Sequence, residues 1–242
     1  MPSRLRYLLL QVRDPDDPIR EHEIECFARA FEVPVDRISI FDLLSGAPTA
    51  RRLAAADVVL LGGSGDYCVS DGGPWLEPAL DTMRELHRRR QPTFASCWGC
   101  QAMALALGGA VVRDMARAEL GTLEVQVTDA GRADPVFGPL APSFPAQAGH
   151  QDIIDALPPD ATLLASTTRV PNQAFRFDDR PIYCTQFHPE LSLEDLLVRL
   201  RTYPEYVERI AGMPFDEFAA SCRESAQTTA VLQRFVRGVL AD

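Results

Sequence analysis

The chain is 242 residues long, and 34 acidic side chains against 24 basic ones give it a formal net charge of −10. All the basic residues are arginine. The absence of lysine excludes a P-loop lysine on a nucleotide phosphate, a lysine Schiff base with pyridoxal phosphate and a Ser-Lys dyad. The acidic balance argues against nucleic acid as a partner, because duplex affinity rests on clustered positive charge. With no apolar run near the roughly 18 residues of a membrane span and no signal peptide, the expectation is a cytoplasmic protein that does not engage a membrane. The six cysteines, Cys26, Cys68, Cys97, Cys100, Cys184 and Cys222, then belong to a reducing compartment, where most are expected to be small buried hydrophobes.

In chain order, Leu5 to Val12 predicts a strand and Ile19 to Phe31 an amphipathic helix opening behind Pro18. Ile38 to Phe41 is a short strand, and Asp57 to Leu61 is a continuous apolar strand running into Gly62-Gly63, the pattern of a parallel strand covered on both faces. A helix over Pro74 to Arg90, a strand over Pro92 to Ser96 and a helix from Gly99 to Leu107, stopped by Gly108-Gly109, continue the alternation. From Ala110 to about Gln186 the character changes to short strands (Ala110–Arg113, Thr122–Thr128, Thr162–Ala165, Gln173–Phe177, Ile182–Gln186) separated by turn-rich stretches such as Pro139 to Pro145. From Leu193 onward the pattern is helical, in three segments broken near Pro204 and Pro214; their aromatics, among them Tyr203, Tyr206 and Phe235, suit a core-covering face or a partner surface. The fold class is α/β, a three-layer arrangement with a mainly parallel sheet flanked by helices, an added antiparallel region and a helical extension over 191–242 on a core of about 5–190. It is expected to be a single domain over 1–242.

Pro92-Thr-Phe-Ala-Ser-Cys97-Trp98-Gly99-Cys100-Gln101 puts a cysteine between a buried strand and a helix, the position of a nucleophile elbow, with small residues Ala95 and Gly99 on either side. A helix N-terminus favours a thiolate, and the Trp98 N–H is placed to hold an oxyanion. Cys97-Trp-Gly-Cys100 also reads as a C-x-x-C redox pair, or as a core strand ending in two incidental thiols. Ile182 to Gln186 leads into Phe187-His188-Pro189-Glu190: a strand ending in an imidazole with a carboxylate two residues on. That is the general base and orienting group a nucleophilic thiol requires, and a thioredoxin-like pair has no use for it.

These segments resemble the class I (triad-type) glutamine amidotransferases, in particular free-standing members similar to the glutaminase part of GMP synthetase. Cys97-Trp-Gly-Cys-Gln101 is similar to the family's Cys-x-Gly-x-Gln, Phe187-His188-Pro189-Glu190 to its closing Phe-His-Pro-Glu, Gly62-Gly63 to its oxyanion loop, and Gly149-His150-Gln-Asp152 to the His-Gly-Asp segment of the GMP-synthetase branch. The resemblance implies Cys97 as nucleophile, His188 as base and then acid, Glu190 as orienting carboxylate, Gly63 and Trp98 N–H groups as the oxyanion hole, and Gln101 and Gly62 at the substrate. It implies attack on a glutamine side-chain amide, loss of ammonia and hydrolysis of a γ-glutamyl thioester, with no cofactor and no metal. The partners it implies are L-glutamine or another γ-glutamyl compound and a separate ammonia-accepting synthetase subunit. A γ-glutamyl peptidase acting on glutathione-like substrates and a non-enzymatic regulatory subunit are the other readings. Ser64 stands where the family usually has proline, and Cys100 occupies a variable position of the elbow, where packing is expected. His150 and Asp152 read as a structural or interface loop.

Overall fold

Every residue of the first strand, β1 (Tyr7–Gln11), is buried, although successive side chains of a strand point to opposite faces. Tyr7 and Leu9 enter one apolar layer, and Leu8 and Leu10 another. A strand with no solvent side must be apolar throughout, which is why its sequence shows no alternation. Val58 to Leu61 repeats the arrangement: Val58 and Leu60 face the first layer, Val59 and Leu61 the second. The computed structural model describes residues 4–241; positions 1–3 and 242 of the expected 1–242 domain lie outside the described residues.

β1 is followed by α1 (Ile19–Phe31), β2 (Ile38–Asp42), α2 (Ala50–Ala54), β3 (Val58–Leu61), α3 (Leu76–Arg89), β4 (Thr93–Ser96) and α4 (Trp98–Ala106). Next come β5 (Ala110–Arg113), β6 (Glu119–Val127), α5 (Asp129–Ala133), β7 (Ser143–His150), β8 (Asp152–Ala156), β9 (Ala161–Ser166), β10 (Ala174–Phe177) and β11 (Ile182–Thr185). The tail holds α6 (Leu193–Thr202), α7 (Pro204–Tyr206) running into a π-helical turn at Val207–Ala211, α8 (Phe215–Ser221) and α9 (Ala226–Ala241). No helix among the described residues is long and apolar enough to cross a membrane.

One sheet of nine strands, ordered β2-β1-β3-β4-β11-β10-β9-β6-β7, carries the molecule. The first five are mutually parallel, and from β11 to β7 each neighbour is antiparallel. α1 and α9 contribute Phe27, Phe31, Val231 and Phe235 to the layer on one face; α3 and α4 contribute Leu80, Met83, Leu86 and Met103 to the other. The expected three-layer α/β class with antiparallel strands is the observed one.

Two differences have physical causes. β7 and β8 were expected as turns, because 143–156 carries Pro145, Gly149 and residues of weak strand propensity. Pairing decides instead: β7 lies against β6 in register from Glu119↔His150 to Gln126↔Ser143, and as an edge strand it tolerates a proline. The tail, expected as three segments, has a further break between α8 and α9. There the Arg223 N–H donates to Thr122 Oγ1 at 2.9 Å, and its carbonyl accepts from Gln147 Nε2 at 2.8 Å, so β6 and β7 hold the chain in a non-helical conformation without any proline or glycine.

α9 is part of the core: Phe235, 2% exposed, meets Phe94 of β4 at 5.5 Å and Tyr183 of β11 at 5.7 Å, both edge-to-face. Phe235→Ala is expected to cost about 3–5 kcal/mol in urea unfolding. A loss below about 1 kcal/mol would mean that α9 unfolds independently of the sheet.

Candidate active site

β4 ends at Ser96 and α4 begins at Trp98, so Cys97 alone makes the turn, at φ 49° and ψ −107°. A side chain in that region is strained and persists only where its surroundings over-determine it. They do so from both neighbouring strands: the Cys97 N–H donates to Thr185 O at 2.8 Å, and the Gly99 N–H to Gly62 O at 3.1 Å. A Cβ on Gly99 would collide with Leu61, so the small residue two positions after the cysteine is required by the approach of helix to strand.

β11 pairs in parallel with β4 in the register Thr185↔Ser96, and the chain past β11 delivers His188 to the same end of the sheet as Cys97. His188 Nδ1 stands 2.6 Å from Glu190 Oε1, both side chains being buried. With Nδ1 donating to the carboxylate, Nε2 is the ring nitrogen left for the Cys97 thiol, which also hydrogen-bonds the imidazole. Burial alone would push the imidazole down. The opposite charges of Glu190 and Cys97 and their hydrogen bonds outweigh it and raise His188 to about 9. Burial likewise opposes the Glu190 charge, and His188, with Arg199 beyond it, holds the carboxyl below its usual range. The resting arrangement is therefore a dry imidazolium–carboxylate pair beside a thiol.

Gly63, Cys97, Gly149 and His188 line a cavity of about 90 Å³, and the Cys97 thiol points to the Gly149 carbonyl at 3.7 Å. Arg13, from the carboxyl end of β1, and Arg199, from α6, line it as well, and Tyr203 and Tyr206 close the wall. Arg13 is fully engaged: Nη2 and Nε donate to Glu23 at 3.1 and 3.3 Å, and Nη1 donates to Asp17 at 2.9 Å and to Tyr203 Oη at 3.1 Å. Arg199, 9% exposed in its side chain, is not. Its Nη2 lies 3.9 Å from Glu23 and 3.8 Å from Glu190, and Nε and Nη2 make no hydrogen bond among the described residues. Nη1 stands 3.5 Å from His188 Nδ1, but both atoms are donors once Nδ1 faces Glu190. Arg199 is thus a buried cation aimed into the cavity with its hydrogen-bonding capacity unspent.

Of the residues expected at the site, Cys97, His188, Glu190 and Gly63 come together. Trp98 follows Cys97 as the first residue of α4, where a backbone N–H has no intrahelical acceptor, and its indole packs on Trp75 at 5.8 Å. Gln101 and Gly62, expected at the substrate, do not line the cavity. The Gln101 amide, buried, donates to Asp152 O at 3.0 Å and Gln186 Oε1 at 3.3 Å, tying α4 to β8 and β11. Gly62 lies against Glu23, with which a Cβ would collide, so its role is to let α1 approach β3. Ser64 bonds the Tyr67 carbonyl, and its loop continues to Ser70, whose N–H and hydroxyl donate to Asp152 at 2.8 and 2.7 Å. Asp152 is therefore a loop tether, and His150, buried, sits 3.2 Å from Glu119. Cys100 packs in the core against Cys184.

Arg13, Glu23 and Arg199 escaped the sequence reading. The one available signal was that polar residues follow the all-buried β1 at Gln11 and Arg13. Elsewhere, His22, Cys26 and Asp195 could gather three metal-ligand atoms within 4.8 Å. Asp195, however, already accepts from Arg29 at 2.6 Å, from the Ser192 hydroxyl at 2.6 Å and from the Ser192 N–H at 2.9 Å, and burial pushes the Cys26 thiol up to about 12. That set joins α1 to α6.

The sequence matches the family model "Glutamine amidotransferase class-I" over residues 23–196, well over half of the chain. It is 32% identical over 200 residues to the glutamine amidotransferase-like protein chyE of Penicillium rubens, covering 79% of this chain and 80% of that one. It is 34% identical over 149 residues to a glutamine-hydrolyzing GMP synthase of Streptomyces avermitilis, covering 61% of this chain but only 26% of that relative's length. In fold it is similar to the crystal structure of a glutamine amidotransferase from Thermotoga maritima, with a TM-score of 0.75 at 19% identity, covering 98% of this chain and 99% of that one. The chain belongs to the class-I glutamine amidotransferase family.

Proposed function

We propose that this chain hydrolyses the side-chain amide of glutamine, with Cys97 as nucleophile, His188 as proton carrier and Glu190 as its orienting carboxylate. The observation that carries the reading is the strained Cys97 elbow at the end of β4 facing His188 from the adjacent parallel β11, with Glu190 at 2.6 Å behind the ring. His188 Nε2 takes the thiol proton, and the thiolate attacks the amide carbon. The C=O electron pair moves to oxygen, which the Gly63 and Trp98 N–H groups receive. The tetrahedral intermediate collapses with C–N cleavage; the imidazolium gives its proton to the leaving nitrogen, and ammonia departs from a γ-glutamyl thioester. Water, deprotonated by His188, then attacks the thioester carbon and expels the Cys97 thiolate, giving glutamate.

Arg199 supplies the anchor: a buried guanidinium with open Nε and Nη2, in the same cavity, is a receptor for the substrate α-carboxylate. The GMP synthase relative, of which this chain spans 26%, supports an ammonia-accepting synthetase as the partner, on a separate subunit. The alternative γ-glutamyl peptidase reading shares every bond-breaking step except the leaving group.

Three measurements test the proposal. A glutamine-analogue electrophile should label Cys97 and fail to label Cys97→Ala; absence of label on the native chain would favour the regulatory-subunit reading. With the two substrate classes supplied separately, faster turnover of γ-glutamyl dipeptides than of glutamine would reassign the leaving group. Arg199→Met should raise KM for glutamine at least about tenfold, roughly one charge-assisted hydrogen-bonded contact, with a smaller change in kcat. An unchanged KM would remove Arg199 from carboxylate binding. For His188, the folded value is raised above the ordinary 6.5 to about 9, so its contribution to stability is complete below about pH 6.5 and is lost as pH rises through about 9. In Glu190→Gln the largest raising cause is gone, and an NMR titration of His188 should move its midpoint down by at least about one unit. A midpoint that stays near 9 would mean the pair is not what charges the ring.

A further inference from the structure

Five of the arginines of this acidic protein line a second cavity, at the opposite end of the strands from Cys97. Arg90 follows α3, Arg176 lies on β10, Arg180 sits in the turn before β11, and Arg234 and Arg237 project from α9; together they bound a space of about 660 Å³. That is within the range of small-molecule sites, roughly 300–1,000 Å³.

The charges in it are mostly unanswered. Arg176 is paired, at 3.1 Å from Asp134 and 3.5 Å from Asp178. Arg90 and Arg234 donate only to the backbone carbonyls of Asp179 and Val136. Arg180 Nε and Arg234 Nη2 are buried and make no hydrogen bond, and none of Arg90, Arg180, Arg234 and Arg237 has a carboxylate within ion-pair distance among the described residues. Burial and the neighbouring Arg237 both work against the Arg234 charge. Asp179 is the sole acidic residue of the lining, and it faces Arg90 through its main chain. Four uncompensated guanidinium groups around one cavity cost desolvation and mutual repulsion with nothing in the chain to offset them.

The chemistry of the missing counter-charge follows. A single carboxylate would leave several guanidinium groups unmatched, while an acidic macromolecule would meet the repulsion of a chain with net charge −10. A small anion with several charges and many acceptor oxygens matches the planar forks of clustered arginines, and linked phosphates are that anion.

We propose that this arginine cavity is a binding site for a ligand bearing two or more linked phosphates, distinct from the Cys97 cavity at the other end of the sheet. The phosphates could belong to a nucleotide or to free polyphosphate. Isothermal titration of the full chain with pyrophosphate, ADP and GDP at fixed salt tests it, in the native protein and in Arg237→Gln, whose side chain is exposed, and Arg180→Gln. Saturable binding weakened at least about tenfold in both variants, with far-UV circular dichroism unchanged, is the expected result. Nucleoside diphosphates binding at least tenfold tighter than pyrophosphate assign the nucleotide; equal binding assigns free polyphosphate. Absence of saturable binding to the native chain overturns the proposal, as does binding that the Arg237→Gln variant leaves unchanged. If Arg180→Gln alone loses its circular dichroism signal, Arg237→Gln decides by itself.

Discussion

The site depends on one strand pairing. β4 and β11 are separated by the whole antiparallel excursion of the chain, yet they lie side by side and parallel, with Ser96 opposite Thr185 and the Cys97 N–H closed onto the Thr185 carbonyl at 2.8 Å. Parallel register makes both strands end on the same edge, and in an open α/β sheet that edge is where side chains converge on a crevice. An antiparallel β11 would have sent His188 to the other end of the molecule. The five-strand parallel half is therefore the frame of the site. The antiparallel half supplies the route by which the chain returns, and it contributes Gly149, from β7, to the cavity wall.

Bringing the elbow and the imidazole together creates an electrostatic problem that the surrounding residues solve. Glu190 and Glu23 are both fully buried, and each ion removed from water costs several kcal/mol before any pairing. The charges alternate through the interior: Asp17 on Arg13, Arg13 on Glu23, Arg199 between Glu23 and Glu190, and Glu190 on His188. Within that chain the short, well-formed contacts lie at the two ends, and the guanidinium in the middle keeps 3.8 to 3.9 Å from both carboxylates. A network that holds one cation off both of its neighbours retains a place for another anion, and this is the physical content of assigning the substrate carboxylate to Arg199.

What could be read from the sequence was what is encoded locally. The elbow announces itself because a strand, a small-residue turn and a helix must follow one another within a few residues, and Phe187-His188-Pro189-Glu190 because base and orienting carboxylate sit two residues apart. β1 and β3 were legible because burial on both faces demands unbroken apolar runs. β7 was not, because its residues carry no strand signal of their own and pairing with β6 supplies the conformation. Arg13 and Arg199 were illegible for the same reason: a surface helix arginine and a cavity arginine are identical in sequence, and only the tertiary path of α6 over the edge of the sheet separates them. Gln101 shows the reverse error. Its place in a motif suggested a substrate contact, while its amide is consumed in joining α4 to β8 and β11.

The tail beyond Glu190 looked like a cover added to a finished core, yet it is the wall that gives the cavity its size. Leu196, Arg199 and Leu200 of α6 and the two tyrosines that follow form most of the side away from the sheet. The wall is fixed by polar contacts to the elements carrying the cavity floor: Tyr203 Oη donates to Asp17 at 2.7 Å and accepts from Arg13, and Tyr206 Oη donates to the carbonyl of Gly65 at 3.1 Å. Gly65 itself is at φ +66°, and a side chain there would meet the Tyr203 hydroxyl at 2.9 Å, so the loop after β3 and the tail were shaped against each other. This loop holds Ser64 where relatives of the resemblance usually have proline, and the tail packs on the face that Ser64 and Gly65 present. The nucleophile and its base, set by β4 and β11, determine what bond can be broken. Which acyl donor reaches them is governed by contacts between the Ser64–Gly65 loop and α6–α7, two segments that no motif describes.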